Sequence, residues 1–456
     1  MGFFSRLKRL WRHRLFRQLV AVRIGTQAAD GLLQVGTAAY VLFSPQAQPD
    51  AGSIAAVLAI TLLPFSIIGP FVSTTLDRWN RRQVALVSNI IRAVLAAILV
   101  GLVLNPGLRD HWTMFIFYGS VLVAMSLNRY LMAGLSAALQ HTVDDDEYLM
   151  ASSVMPMIGP AGVVIGAGVA FGIRFSFGTI MPTHQADAII FLVAAVGFAI
   201  TAVLALRIPR GALGPMHITE ESKNTRAIDV ARGLANAVKH LQERRPAGQG
   251  LIIIALQRIF YGMTQVSTIL LFRNFFHEVE EVDAATRDMG LWAGATAAGF
   301  ILSAFIVPPL ARRVGVRWAI VILVAGAGVL QIIPGSIFTL PTLVVAGLLL
   351  GIGSQSLKIC VDTLVQAHVD DDYKGRVFTI YDMIFNGCFV GAALLTWALM
   401  PADGHSLVGF IAMGAMLILT ALLFARMSAP LGGAIFDRGS EFEQARSTGR
   451  PAADPA

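Results

Sequence analysis

The sequence predicts an all-α polytopic membrane protein, with 12 transmembrane helices arranged as two pseudo-symmetric six-helix bundles. Three observations carry this. Of 456 residues, 55% are hydrophobic and only 14% charged, against roughly 25% charged in an ordinary soluble domain. Apolar runs long enough to cross a hydrocarbon core of about 30 Å, which takes roughly 20 helical residues, recur along nearly the whole chain. They lack the ~10-residue alternation of a barrel, so helices are what satisfies the backbone in lipid. Finally, landmarks of the first half return in the second at matching places.

Taken in order, charged or Pro/Gly-rich breaks divide the chain into spans 18–43, 52–75, 83–104, 112–138, 150–173 and 187–207, then 249–272, 289–311, 316–338, 341–366, 375–400 and 405–426. The basic segment 1–17, "MGFFSRLKRLWRHRLFR", is expected to be a retained interfacial piece, since no small-residue cleavage site follows it. The first bundle is then 18–207 and the second 249–427. Between them, 208–248 is polar and basic, with Ile228, Ala231, Leu234, Ala235, Val238 and Leu241 at helical spacing. That pattern predicts an amphipathic helix on the membrane surface. The tail 428–456, polar and rich in Pro and Ala, is expected to be disordered.

The duplication is explicit. "LQHTVDDDE" (139–147) follows the fourth span and "VQAHVDDDY" (365–373) the tenth, so that Gln140 aligns with Gln366 and Val143 with Val369. "VRIG" (22–25) in the first span is echoed by "QRIF" (257–260) in the seventh, aligning Arg23 with Arg258. "LDRWNRRQ" after the second span has a fainter echo, "LARRVGVRW", after the eighth. Six spans plus six with matched landmarks is a transporter pattern. The net charge of +7 is a topology signal rather than a nucleic-acid footprint, because Lys and Arg cluster at the span ends. Arg6, Lys8, Arg9, Arg12, Arg14, Arg17, Arg78, Arg81, Arg82, Arg312, Arg313, Arg317, Arg426 and the central linker share one side, which places both termini in the cytoplasm of a multi-pass cell-membrane protein.

With these motifs in place, the chain resembles the major facilitator superfamily over about 18–427, and more closely its drug-and-siderophore exporter branch. The strongest motif is "GPFVSTTLDRWNRRQ" (69–83): Gly69, Asp77, Arg78, Arg81 and Arg82 match that family's cytoplasmic signature, with Asn80 where glycine is usual. Asn tolerates the left-handed conformation. The resemblance implies a latch between the halves at this loop, with Asp382 of the eleventh span as an added partner for the Arg78 loop; the alternative is a positive-inside anchor only. "MIGPAGVVIGAGVAFG" (157–172) is similar to the Gly-Pro signature of the superfamily's antiporters at Gly159 and Pro160. Gly162 and Gly166 form a small-xxx-small face suited to close helix contact, which generic membrane-helix packing would also explain. "LNRYLMAGLSAAL" (127–139) partly resembles the exporters' Arg-containing motif at Arg129, Ala137 and Ala138, while Met132 and Ala133 stand where Gln and Gly are usual.

Charges inside the spans carry the functional expectation. Arg23, Gln27, Asp30 and Gln34 are spaced by 4, 3 and 4, and Gln355, Lys358, Asp362 and Gln366 by 3, 4 and 4, so each set lies on one helix face. A charge at the bilayer centre costs about 2.5–3.5 kcal/mol on insertion scales and therefore needs a partner or water. Six of the eight charges well inside spans, Arg23, Asp30, Arg129, Arg258, Lys358 and Asp362, fall on spans 1, 4, 7 and 10, which in the resembled fold line the central cavity; Arg92, on the third span, breaks the pattern and pairs with a neighbouring span or snorkels. The expected substrate cavity is Arg23, Gln27, Asp30, Gln34, Arg129, Arg258, Gln265, Gln355, Lys358 and Asp362. Its cationic excess favours an anionic or zwitterionic substrate. Internal pairing is the competing account: Arg23 with Asp30 and Lys358 with Asp362. Asp30 is the first candidate for proton coupling and Asp362 the second.

The resulting expectation is a proton-coupled exporter of an amphiphilic small molecule, working by alternating access as a monomer in contact with membrane lipids, with sodium as the alternative coupling ion. A lysophospholipid or envelope-lipid flippase of the same fold, and a non-transporting membrane scaffold, are the competing classes. No enzyme, no cofactor, no metal and no nucleic-acid partner are expected. The chain has no Gly-x4-Gly-Lys nucleotide loop, and Cys360 and Cys388 have no metal or disulfide spacing. His111, His141, His184, His277 and His368 lie at span ends, and the Asp triplets read as solvated helix starts.

Overall fold

A computed structural model describes residues 9–42, 51–67, 79–105, 111–144, 147–177, 180–214, 227–278, 281–335 and 337–438. Its long helices are α1 (Arg14–Leu42), α2 (Ala51–Ile67), α3 (Arg81–Leu104), α4 (His111–Ala138), α5 (Tyr148–Phe177), α6 (Thr183–Leu206), α7 (Ala227–Glu243), α8 (Arg245–Leu270), α9 (Val282–Val314), α10 (Val316–Gly335), α11 (Leu340–His368), α12 (Asp371–Leu399) and α13 (Leu407–Ser428). A short α14 (Gly433–Asp437) follows. The all-α class is as expected. Among the described residues, 10 helices are long and apolar enough to cross a membrane. The first predicted span is a helix of 29 residues, α1, that carries the polar face; at the second, 17 residues of α2 are described.

Local chemistry sets the boundaries. Asn80 caps α3 by accepting from the Arg82 amide at 3.0 Å, and Ser406 caps α13 by accepting from the Gly409 amide at 3.0 Å. Thr339 and Thr342 form a capping box at α11, with Pro341 in its first turn. Gly315, at φ 84°, turns the chain between α9 and α10 where a side chain would be strained. The linker's amphipathic pattern is observed as α7.

The chain divides into two compact units: Met1–Ala47 with Ala59–Val230, and Gln48–Leu58 with Ala231–Pro455. In the first, α1 packs on α5 and α6, and α3 on α6 and α4. In the second, α8 packs on α12 and α13, and α10 on α13 and α11. The same pairings recur six spans apart, which is the pseudo-symmetry the repeated landmarks predict.

Candidate functional site

In the first unit, Asp30 is fully buried. One carboxylate oxygen accepts from the Arg92 guanidinium of α3. The other accepts from Gln34 Nε2 at 2.7 Å and from Asn128 Nδ2 of α4 at 2.9 Å. Arg92 is equally buried, lies 4.1 Å over the Phe198 ring of α6, and donates to Asn128 Oδ1 at 3.4 Å. A turn away, Thr26 donates to Asn89 Oδ1 at 3.2 Å. Four helices thus converge on one neutralised ion pair. Burying two charges is costly and is offset only by good geometry with the remaining lone pairs satisfied, which the two amides supply.

This rules out the competing account in which Asp30 pairs with Arg23. Seven residues along one helix is about 10 Å of rise, too far for a compact contact, whereas α3 delivers Arg92 from the side. Arg23 instead donates from Nη1 to Ser136 Oγ of α4 at 3.2 Å. Asp30 also does not line an open path; it is enclosed, while Arg23, Gln27, Gln34 and Arg129 are half-buried. Asn128 carries no sequence signal of its own, being a neutral amide next to the charged Arg129. Of the two expectations for Arg92, the structure shows pairing with a neighbouring span and not snorkelling, as a lone arginine inside a span requires a carboxylate.

The glycines of α5 set the distance to α1. A Cβ on Gly166 would lie 1.9 Å from the Ala28 carbonyl oxygen, and one on Gly162 2.8 Å from Gln27 Cβ. From α1, a Cβ on Gly31 would lie 2.3 Å from the Val163 carbonyl. At Gly159 a Cβ would stand 3.6 Å from Gln27 Nε2 and 3.7 Å from Arg23 Nε, so this glycine borders the polar face. The helix continues through Pro160, which is exposed.

In the second unit, Lys358 and Asp362 pair along α11 at 2.7 Å, both partly exposed. Arg258 Nη1 donates to Ser354 Oγ at 3.3 Å. Its guanidinium lies 3.6 Å over Phe385 and 5.2 Å over Phe389, with Lys358 Nζ 5.3 Å over Tyr381. These cation–π contacts bring in α12 aromatics that sequence spacing did not single out, although they recur at helical intervals. Gln265 donates to the Tyr261 hydroxyl, and Gln355 is half-buried.

Of the expected gate, Gly69, Asp77 and Arg78 lie outside the described residues, so the expected contact of Asp382 with the Arg78 loop does too. Asp382 is exposed on α12. Arg81 donates to the Ala137 and Leu213 carbonyls at 3.0 and 3.1 Å, and Arg82 to the Leu206 carbonyl at 3.1 Å. Both therefore bond helix C-terminal regions of their own unit, where cations are favoured, Arg81 reaching the turn after α6 as well; these bonds are not a latch to the other half. His13, Asp144 and Glu147 bring ligand atoms within 4.8 Å of one another. Glu147 is already engaged there by His13 at 2.6 Å and Arg9 at 3.6 Å, which makes the group an ion-pair cluster. The Asp triplet at α12 starts differently from a merely solvated one: Asp370 accepts twice from Arg244 Nη2, at 2.7 and 2.8 Å.

Comparison with known proteins accords with this architecture. A sequence profile described as Major Facilitator Superfamily matches residues 32–392. The chain is 31% identical over 409 residues to an "Uncharacterized MFS-type transporter" of Mycobacterium tuberculosis, covering 90% of each chain, and equally to one of Mycobacterium bovis. Among solved structures, the nucleoside transporter NupG superposes with a TM-score of 0.62 at 14% identity, over 91% of this chain and 99% of that one. A bacterial homologue of the iron transporter ferroportin in its outward-facing state superposes with a TM-score of 0.59 at 16% identity, over 91% and 100%. At those identities the likeness concerns the fold. The helical membrane architecture, the repeated halves and the profile match agree: the chain belongs to the Major Facilitator Superfamily.

Proposed function

We propose that this multi-pass membrane transporter is a proton-coupled exporter of an amphiphilic anionic or zwitterionic small molecule, working by alternating access from the cell membrane with both termini in the cytoplasm. The observation that carries the reading is the enclosed Asp30, held by Arg92, Gln34 and Asn128. Protonation of Asp30 frees Arg92, and departure of Arg92 favours a proton on Asp30, so helix rearrangement and proton occupancy are linked. With Asp30 neutralised inside the fold, the half-buried charges left on spans 1, 4, 7 and 10 are Arg23, Arg129, Arg258 and Lys358 against Asp362. That cationic excess favours an anionic group on the cargo, and the partly exposed Phe385 and Phe389 suit its apolar part.

The test is uptake into proteoliposomes with an imposed pH gradient, screened across siderophores, drugs and single-chain lipids. Asp30→Asn should abolish gradient-driven transport. Because that change leaves a buried arginine unpaired, at about 3–5 kcal/mol, the double variant Asp30→Asn/Arg92→Gln is run beside it. The double variant should fold, bind cargo and remain uncoupled. Gradient-driven transport at the wild-type rate by either variant refutes the assignment.

A further inference from the structure

At the corner between α7 and α8 the second unit carries a groove of about 630 Å³, walled by Val238 and Leu241 of α7, Ile252 and Ala255 of α8, and Ile380 and Ile384 of α12. Its volume falls within the ~300–1,000 Å³ typical of small-ligand sites. The corner is built in. Pro246 sits in the first turn of α8, and a Cβ on Gly248 would stand 2.7 Å from the Leu241 carbonyl oxygen, so glycine lets the two helices meet closely. The walls are apolar throughout, and the polar groups gather at the end nearest the corner, at Gln242, Arg245 and Gln249.

The charges at this mouth are divided. Arg244 is held by Asp370 through two hydrogen bonds. Arg245, its neighbour, is exposed and has no carboxylate partner among the described residues. An apolar trough that ends at a guanidinium without a carboxylate partner among the described residues, next to an amphipathic helix, matches a molecule with one anionic head and a long hydrocarbon tail. Basic sites beside transmembrane helices take such headgroups.

We propose that this groove binds an anionic glycerophospholipid of the surrounding bilayer, with its phosphate on Arg245 and one acyl chain laid between α8 and α12. The site lies entirely within the second unit and is separate from Asp30, so it stands or falls independently of proton coupling. A bound lipid would also brace α7 against α8 and α12, since its tail contacts all three helices.

The experiment uses the purified full chain in detergent, titrated with dioleoyl-phosphatidylglycerol or dioleoyl-phosphatidylcholine and followed by native mass spectrometry. A second readout is the rate of maleimide alkylation at Cys388, which lines the groove, while Cys360 is only 1% exposed. Phosphatidylglycerol should bind about fivefold more tightly than phosphatidylcholine, the effect of a single interfacial cation, and should slow alkylation of Cys388. Arg245→Gln, on an exposed residue, should erase the preference and Arg245→Lys should retain most of it. Ala255→Trp, which fills the trough, should remove both binding and protection. Equal binding of the two lipids by the wild-type chain, an unchanged preference in Arg245→Gln, or full alkylation of Cys388 with lipid present would overturn the proposal. So would protection by inorganic phosphate alone, which would make this an anion site without a chain-binding groove.

Discussion

The first predicted span of each half begins from the same plan and ends in different chemistry. In α1, Arg23 reaches Ser136 of α4 at 3.2 Å; in α8, the aligned Arg258 reaches Ser354 of α11 at 3.3 Å. Seven residues further on, α1 presents Asp30 and α8 presents Gln265. The carboxylate is sealed in with Arg92 and two amides, whereas the glutamine donates to a tyrosine on its own helix. The fixed charges of the second unit lie among aromatic rings and remain partly exposed. Duplication kept the arginine anchor and the helix packing. It did not keep a carboxylate at this position, so under the function proposed above the first unit carries the enclosed group that would respond to a proton, and the second adds aromatic-lined cations for the cargo.

The largest expected effect breaks the sealed pair from its cationic side. Arg92→Leu leaves Asp30 buried without its counter-charge, and loss of one partner from such a pair costs about 3–5 kcal/mol. The variant should fail to accumulate at neutral pH, and adding Asp30→Asn should restore much of the yield; fluorescence-detected size-exclusion profiles of the two variants decide it. The matching removal in the second unit, Gln265→Leu, should be tolerated, because it deletes a hydrogen bond and leaves no charge behind. If Gln265→Leu proved as damaging as Arg92→Leu, the contrast between the units would be wrong.

Next in size is the contact of α1 with α5. Gly166→Ala drives a methyl into the Ala28 carbonyl, 1.9 Å from the ideal position, so the helices must part, at about 1–3 kcal/mol. Gly168, two residues away, has nothing within 4 Å of the same position. Gly168→Ala should leave the melting temperature unchanged or raise it slightly, since alanine is the better helix former. Thermal melting of both variants in one detergent makes the comparison direct.

How much of this was legible depends on whether the determining contact runs along a helix or between helices. The helices, the amphipathic helix α7 and the pairing of Lys358 with Asp362 follow from periodicity within one segment, and sequence spacing reports such contacts well. The partner of Asp30 comes from α3, and spacing within α1 says nothing about which neighbour faces it. The same holds for Arg258, whose aromatic companions lie on α12. Arg81 and Arg82 show a further limit: a motif identifies the residues, but their carbonyl acceptors on α4, α6 and the following turn depend on packing alone. The small-residue spacing at Gly162 and Gly166 was readable, while the need for glycine at each position came only from the approach of the α1 backbone.

A smaller effect is expected at the partly exposed pair of α11. Lys358→Met removes one fixed cation and leaves Asp362 half in solvent, where a pair of this kind is worth roughly 0–1 kcal/mol. Stability should hardly change. The KM for an anionic cargo should rise about fivefold or less, with kcat retained. A loss of proton coupling in this variant would instead place Asp362, and with it the second unit, in the proton cycle and remove the division of labour drawn above.

The smallest effect is a pH dependence at the junction of α7 with α12. The hydrogen bonds from Arg244 hold the Asp370 carboxyl below the usual carboxylate range, against the opposing cost of desolvation, with Arg244 and His240 adding electrostatic attraction. The sign follows from linkage. A depressed folded-state value means that the unfolded chain binds the proton more readily, so the contribution is fully present above the ordinary aspartate value of about 4 and is lost as pH falls through the lower folded value. Asp370→Asn should therefore melt slightly below the wild type at pH 7 and at pH 5, and the two curves should converge at the acid end. Salt should narrow the neutral-pH gap, because both partners face solvent. His240 stacks on Tyr373 at 4.3 Å and 9°, a contact the variant leaves intact, so α7 should stay docked throughout. A gap that widened toward acid would mean that Asp370 is favoured in its protonated form, and the Arg244 contact would then be incidental to the docking of α7.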